Sequence, residues 1–311
     1  MDRIVFFGTP EFALPTLTAL DEAGLTPMVV VSQPARPKGR GRQLSQPPVA
    51  EWAIERGIEL HQPGRVRHPE FLRTLDRLRP ELAIVVAFGQ IFPRDLLQLP
   101  VRGCVNLHGS LLPQLRGAAP IQGAILAGLK ETGATTMQME DGLDSGPVLL
   151  SCRLTIGERE TAGELSRRVA VAGAELMVET VRGLEAGTVR PLPQRDELAT
   201  YAGKVTKADG QVDWSLSAEE LFRRLRAYTP WPGLTARWRR RPLKILWAEP
   251  AEAATDRPSG EIVDAGGGRL AVACGHGSVL SIERCQVAGR SAVDAGEFVR
   301  GARLAVGDRL E

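Results

Sequence analysis

The residues best suited to chemistry lie between Cys104 and Gly117, in the run C-V-N-L-H-G-S-L-L-P-Q-L-R-G. Val105 and Leu107 alternate with Asn106 and His108, the period of two that marks a strand with one face in a core. Asn106 and His108 therefore share a face, about 7 Å apart along the strand. Gly109 and Ser110 end the strand, Pro113, Arg116 and Gly117 continue a loop, and Pro120 opens an apolar helix that Gly128 stops. A strand end that carries an amide and an imidazole before a loop and a helix is where open α/β sheets place ligands. An isolated N-x-H is more often a core histidine beside a turn-forming asparagine. A second segment shifts that balance: G-A-T-T-M-Q-M-E-D-G-L-D-S-G-P-V-L, Gly133 to Leu149, reads as a short strand followed by a turn-rich loop holding Asp141 and Asp144. A carboxylate delivered by such a loop would orient the imidazole and favour its cation.

These elements belong to a repeating pattern. Strands are expected over Arg3–Gly8, Met28–Ser32, Ile58–Leu60 and Leu82–Phe88, with helices over Ala13–Leu20, over Glu51–Gly57 and over Pro69–Leu78. The alternation predicts a doubly wound, Rossmann-like, mostly parallel sheet with right-handed crossovers. Of the glycines that a dinucleotide site requires, only Gly8 is in place, so a dinucleotide oxidoreductase is the weakest reading. Thr161–Gly187 reads as one long amphipathic helix, and Thr188–Asp196 has the composition of a linker. A capping box is expected at Ser217 and Glu220. From Trp231 onward short alternating runs separated by glycines predict a small antiparallel barrel with no helix interrupting it. The expected organisation is a catalytic domain over 1–188, a linker over 189–207 and a second domain over 208–311.

Composition sets outer bounds. The 311 residues are 43% hydrophobic and 24% charged, with a formal net charge of +2, as in an ordinary globular protein. Four dispersed cysteines without a C-x-x-C pair argue against a zinc site, and no metal is expected. There is no signal segment and no long apolar run, which predicts a cytoplasmic protein without a membrane span.

Two stretches concentrate positive charge. Arg36, Lys38, Arg40 and Arg42 lie among prolines and glycines with no acidic residue, which predicts a mobile basic loop suited to a phosphate-rich partner. Residues 221 to 247 hold eight arginines and lysines, Arg237, Arg239 and Arg240 among them, and no Asp or Glu. Trp231, Trp238 and Trp247 interleave with these charges, a pattern that suits a nucleic-acid-facing surface better than a solvated face.

The Gly133–Leu149 segment, together with N-x-H-G-S-L-L-P and R-G-A-A-P-I-Q, resembles the folate-dependent formyltransferases. The resemblance covers almost the whole chain, most strongly residues 3 to 150. It implies Asn106, His108 and Asp144 as the active centre and 10-formyltetrahydrofolate as the formyl donor. Ser110, Leu111, Leu112 and Pro113 would line the donor's pocket, with Phe88, Gly89 and Gln90 closing over its pterin. Formyl transfer to an amine is nucleophilic attack on a carbonyl, through an oxyanion, with protonation of a leaving nitrogen. Asn106 is then the oxyanion donor, and His108 either protonates the leaving nitrogen or shares the oxyanion. Asp144 supports the imidazole or relays protons. Members of the family that act on tRNA carry a basic R-P-x-G-R-G loop and a C-terminal oligonucleotide-binding type of barrel, which implies an aminoacylated initiator tRNA as acceptor; a monomer is expected. A formyltransferase for an amino sugar nucleotide or purine precursor would lack both basic clusters. A catalytically silent RNA-binding protein would not need Asn106, His108 and Asp144.

Overall fold

The computed structural model describes residues 1–38 and 43–311. By internal contacts the chain forms two units, one of residues 1–120, 131–155 and 166–202, the other of residues 121–130, 156–165 and 203–311.

In the first unit the chain runs β1 (Ile4–Gly8), α1 (Leu14–Glu22), β2 (Val29–Val31), β3 (Arg36–Lys38), β4 (Gln43–Ser45), α2 (Pro48–Glu55), β5 (Glu59–His61), α3 (Pro69–Leu78), β6 (Leu82–Val86), α4 (Arg94–Leu97) and β7 (Cys104–His108). The chain then passes through α5 (Pro120–Leu126), which beyond Pro120 belongs to the second unit, and returns for β8 (Glu131–Gln138), β9 (Val148–Thr155) and α6 (Ala162–Ala186), whose first turn, up to Leu165, is also counted with the second unit. The strand order is β5-β2-β1-β6-β7-β8-β9. The pairs from β5 to β7 are parallel and the last two are antiparallel. β1 and β6 are buried along their whole lengths, as central parallel strands must be when helices cover both faces. The chain leaves β1 toward β2 and β5 and returns to β6 on its other side, so their carboxyl ends flank the point where the winding reverses.

The expected parallel sheet and long helix are both present. Two local expectations differ. Four of the five residues of β7 are buried, because β6 and β8 flank it and residues of both faces are covered. The alternation marked the polar residues correctly without implying a solvent face. The stretch from Arg36, expected as a loop, enters a two-stranded hairpin in which Arg36 pairs with Ser45 and Pro37 with Leu44. The prolines and glycines hid its strands. Arg40 and Arg42 lie outside the described residues.

In the second unit α7 (Ala218–Ala227) begins at the expected capping box, with Ser217 and Glu220 bonded reciprocally. β10 (Leu234–Trp238), β11 (Arg241–Ala254), β12 (Ile262–Asp264), β13 (Leu270–Ala273) and β14 (Ser278–Val287) form an antiparallel sheet in the order β10-β11-β14-β13-β12. β15 (Val293–Asp294) pairs with β14 and leads into α8 (Ala295–Ala302). Sequence reading missed α8, whose A-G-E-F-V-R-G-A holds two glycines, poor helix formers. Phe298 and Val299 nevertheless bury its inner face in the core.

The C-terminal segment joins the two edges of this sheet. Gly307 donates to Ile262 O (3.0 Å), Ile262 to Asp308 O (2.7 Å) and Leu310 to Gly260 O (2.9 Å), while Glu311 and Arg237 exchange backbone bonds. Leu310 is wholly buried in the core of the unit. Leu310→Ala is therefore expected to lower stability by about 2–5 kcal/mol, read as a fall in the denaturant midpoint without change in slope. A shift within experimental error would mean that the segment does not close the sheet.

The four cysteines are unpaired. Burial pushes the Cys104 and Cys274 thiols up to about 12 and Cys285 up to about 11, which makes all three unreactive core residues. No helix among the described residues is long and apolar enough to cross a membrane.

Candidate active site

β7 carries Asn106 opposite Val85 of β6 and Met137 of β8, and His108 opposite Thr135. Asn106 is half-buried, and among the described residues its amide makes no hydrogen bond. His108 is 5% exposed, and its Nε2 lies 2.9 Å from Leu115 O. A carbonyl can only accept, so Nε2 carries the hydrogen and Nδ1 is the nitrogen left to exchange a proton. Nδ1 lies 3.7 Å from Asp144 Oδ2, close enough for an ion pair and beyond a direct hydrogen bond. The structure thus brings His108 and Asp144 together, and Asn106 one pleat behind on the same strand. Asp141 is an exposed turn residue.

Asp144 is held in a left-handed backbone conformation, φ +51°, which a non-glycine residue rarely adopts. Its Oδ2 accepts the Gly117 N–H at 2.8 Å. Gly117 itself has φ +113°, and a Cβ there would fall 2.6 Å from Ala202 O. Only glycine can present its N–H to Asp144 at this point.

The loop between His108 and Gly117 is pinned from two sides. Thr135 of β8 donates its hydroxyl to Ser110 O (2.6 Å) and accepts the Leu112 N–H (3.2 Å). Ser110 closes the loop on Gln114 O at 2.6 Å. From the other side Thr200 accepts the Leu115 N–H on its hydroxyl at 2.9 Å and the Arg116 N–H on its carbonyl at 2.8 Å. Gly133 at the head of β8 leaves room for this loop, since a Cβ there would come 2.7 Å from Leu111 Cδ2 and closer still to Cys152 O. Thr135, Arg116, Gln194 and Thr200 escaped sequence reading as site residues. Thr135 and Arg116 stand inside the quoted motifs, but nothing in the spacing of Gln194 or Thr200 links them to residues some eighty positions earlier.

Of the residues expected at the donor pocket, Leu111, Leu112 and Pro113 form a half-buried apolar stretch, whereas the Ser110 hydroxyl is turned inward. Phe88 does not face the site with its ring. It is 2% exposed and packs edge-on against Phe7 (5.4 Å) and Phe92 (6.0 Å) in the core. Its carbonyl accepts from Thr9 Oγ1 (3.0 Å) and Gln33 Nε2 (3.2 Å). The Gln90 side chain accepts the Val66 N–H at 2.9 Å, holding a neighbouring loop. What the 87–90 segment offers is backbone, bent by positive φ at Ala87 and Gly89, followed by Ile91, 93% exposed. A half-buried apolar loop beside bent backbone suits a planar heteroaromatic ring.

The basic residues divide. Arg237, Arg239 and Arg240 are exposed on the β10–β11 hairpin, whose two-residue turn places Arg239 and Arg240 at φ +46° and +64°. Arg239 lies over the Trp238 ring at 5.0 Å. Arg226 does not share that surface. It is 8% exposed, donates to Gly157 O at 3.2 Å, and burial lowers its pKa. Trp238 and Trp247 stack edge-on with Phe298 and Phe222, which leaves Trp231 as the exposed tryptophan of the three. Among the described residues no group of three His, Cys, Asp or Glu side chains could hold a metal ion.

Comparison with known proteins covers both units. The family described as formyl transferase matches residues 2–181, and its C-terminal domain matches residues 204–303. The chain is 45% identical over 307 residues to the methionyl-tRNA formyltransferase of Pelobacter propionicus, spanning 99% of this chain and 95% of that one. It is 46% identical over 305 residues to the enzyme of the same name from Anaeromyxobacter dehalogenans, spanning 97% of each. The fold is shared with an N-formyltransferase from Helicobacter canadensis, solved with folinic acid and dTDP-3-aminofucose. That likeness has a TM-score of 0.67 at 14% identity and spans 91% of this chain and 99% of that one. HypX from Aquifex aeolicus, solved with tetrahydrofolic acid, superposes at a TM-score of 0.61 with 16% identity, over 99% of this chain and 50% of that one.

Proposed function

We propose that this chain, which belongs to the formyl transferase family, transfers the formyl group of 10-formyltetrahydrofolate to the amino group of methionyl-initiator tRNA in the cytoplasm. The observation that carries the reading is the similarity over both units to methionyl-tRNA formyltransferases, because an enzyme for a small amine would need neither basic cluster.

The donor supplies an activated formyl carbon, bound against Leu111–Pro113 and the bent 87–90 backbone. Transfer forms a bond from the acceptor nitrogen to that carbon and breaks the bond to the donor's nitrogen. The acceptor loses one proton and the leaving nitrogen gains one. Asn106 presents a neutral N–H to the oxygen that becomes charged, at a place where its amide has no competing partner among the described residues. His108 moves the proton at Nδ1, since Leu115 O occupies Nε2, and Asp144 stabilises the imidazolium while Nδ1 is charged. The exposed arginines of the β10–β11 hairpin, with Arg36, Lys38, Arg40 and Arg42, complete the reading by neutralising tRNA phosphates. The enzyme acts as a monomer in this account.

The acceptor is tested with a panel in which charged initiator tRNA competes with an amino sugar nucleotide and simple amines. Transfer to the tRNA alone is expected, and transfer only to a small amine would overturn the choice of acceptor. Arg40→Ala is expected to weaken tRNA use and to reduce the salt slope by about 1, with the KM for the folate unchanged. An unaltered kcat/KM on tRNA would remove this segment from the mechanism.

A further inference from the structure

We propose that Gln194, clamped by Arg116, is a positioning residue that sets Asp144 for formyl transfer. The inference rests on the reading of His108 and Asp144 just given. Arg116 is 3% exposed, and a guanidinium offers donors only. Its Nε and Nη2 both donate to Gln194 Oε1, at 3.0 and 2.8 Å, and Nη2 also reaches Asp196 Oδ1 at 2.7 Å. Burial works against the Arg116 cation, but the hydrogen bonds it donates to Asp196 and Tyr201 outweigh it and hold the pKa above its ordinary value.

With Oε1 committed to a permanent donor, the Gln194 amide has one orientation. Its Nε2 donates to Asp144 O at 2.9 Å and to Gly146 O at 2.7 Å, which uses both hydrogens on the turn that carries Asp144. A left-handed residue such as Asp144 persists only where its surroundings hold it, and these two bonds hold its backbone. The side chain is held by Gly117, the residue next to Arg116. Arg116 and Gly117 therefore grip Asp144 from both ends, one through Gln194 and the other directly. The same downstream segment fixes the partner of the imidazole. Thr200 accepts the Leu115 N–H, and Leu115 O in turn meets His108 Nε2. The segment expected as a linker, residues 189–207, thus sets both groups of the pair that is 3.7 Å apart.

The test is a double-mutant cycle between Gln194→Met and Asp144→Asn, with kcat, KM and thermal unfolding read on the full chain. Gln194→Met keeps the length and removes the amide. If it misplaces the carboxylate, kcat falls by up to about 10²-fold, with KM for the donor and acceptor within about twofold. In the Asp144→Asn background the same change adds little further loss, because two residues acting as one unit are not additive. Gln194→Glu keeps its pairing with Arg116, and with it the fold, yet turns a carboxylate oxygen toward two carbonyls. It is expected to lose kcat as Gln194→Met does, so the proposal stays testable if the methionine variant unfolds. Losses that multiply in the cycle, a loss confined to KM, or wild-type kcat in the glutamate variant would overturn the proposal. Wild-type turnover in Asp144→Asn would overturn it together with the role of Asp144. Should the wild-type chain formylate only a small amine, the cycle is run on that amine, which separates a wrong acceptor from a wrong positioning role.

Discussion

Asn106→Ala is expected to leave a folded protein whose kcat is lower by about 10²- to 10³-fold, the about 2.7–4 kcal/mol that one oxyanion donor contributes. The physical reason is the isolation of the amide. Asn106 is half-buried on an interior strand, and among the described residues its side chain bonds to nothing. Truncation therefore orphans no partner and opens no large core cavity, so the unfolding midpoint should move little. An amide that bonds only to charge developing in the transition state affects kcat and spares KM. Steady-state kinetics beside thermal unfolding checks this. Near wild-type kcat would mean that another donor meets the oxyanion, and a loss confined to KM would make Asn106 a binding group.

The second large effect is at His108. Gln at this position can extend an N–H to Leu115 O in place of Nε2, but it has no titratable nitrogen where Nδ1 stands. His108→Gln is expected to lower kcat by about 10²- to 10⁴-fold, the range for a positioned acid or base. His108→Ala should lose as much activity and in addition leave the buried Leu115 carbonyl unpaired, a further cost of about 1–3 kcal/mol in stability. The pair of variants separates chemistry from packing. If His108→Gln keeps wild-type turnover, Nδ1 moves no proton. If its stability falls as far as that of the alanine variant, the glutamine amide does not replace Nε2 at Leu115 O.

Much of this site was legible in the chain because its chemistry is local. Asn106 and His108 are two residues apart on one strand, and Asp144 lies in a turn-rich loop that follows the next strand. Period placed Asn106 and His108 on one face and turn composition put Asp141 and Asp144 in the loop beyond the next strand, while the choice of Asp144 came from the family resemblance. α3 was legible to its ends because its apolar residues recur at helical spacing from Pro69 to Leu78, and the structure ends it there with a left-handed Arg79. What stayed hidden depends on distant contacts. Gln194 and Thr200 reach the loop across some eighty residues, and a linker composition carries no sign of such bonds. Phe88 has the residue type of a ring-stacking side chain, yet Phe7 and Phe92 take its faces in the core. Arg226 was one of eight charges in a basic run, and only the fold shows that Gly157 O receives it. α8 was obscured by its glycines, because its helical state comes from burial of Phe298 and Val299 rather than from local propensity.

The most direct measurement is transfer of labelled formyl from 10-formyltetrahydrofolate to charged initiator tRNA, at about 50 and about 200 mM salt. The account predicts stoichiometric formylation of the aminoacyl nitrogen, with kcat/KM falling steeply at the higher salt as phosphate contacts are screened. No transfer to the tRNA at either salt would contradict the account.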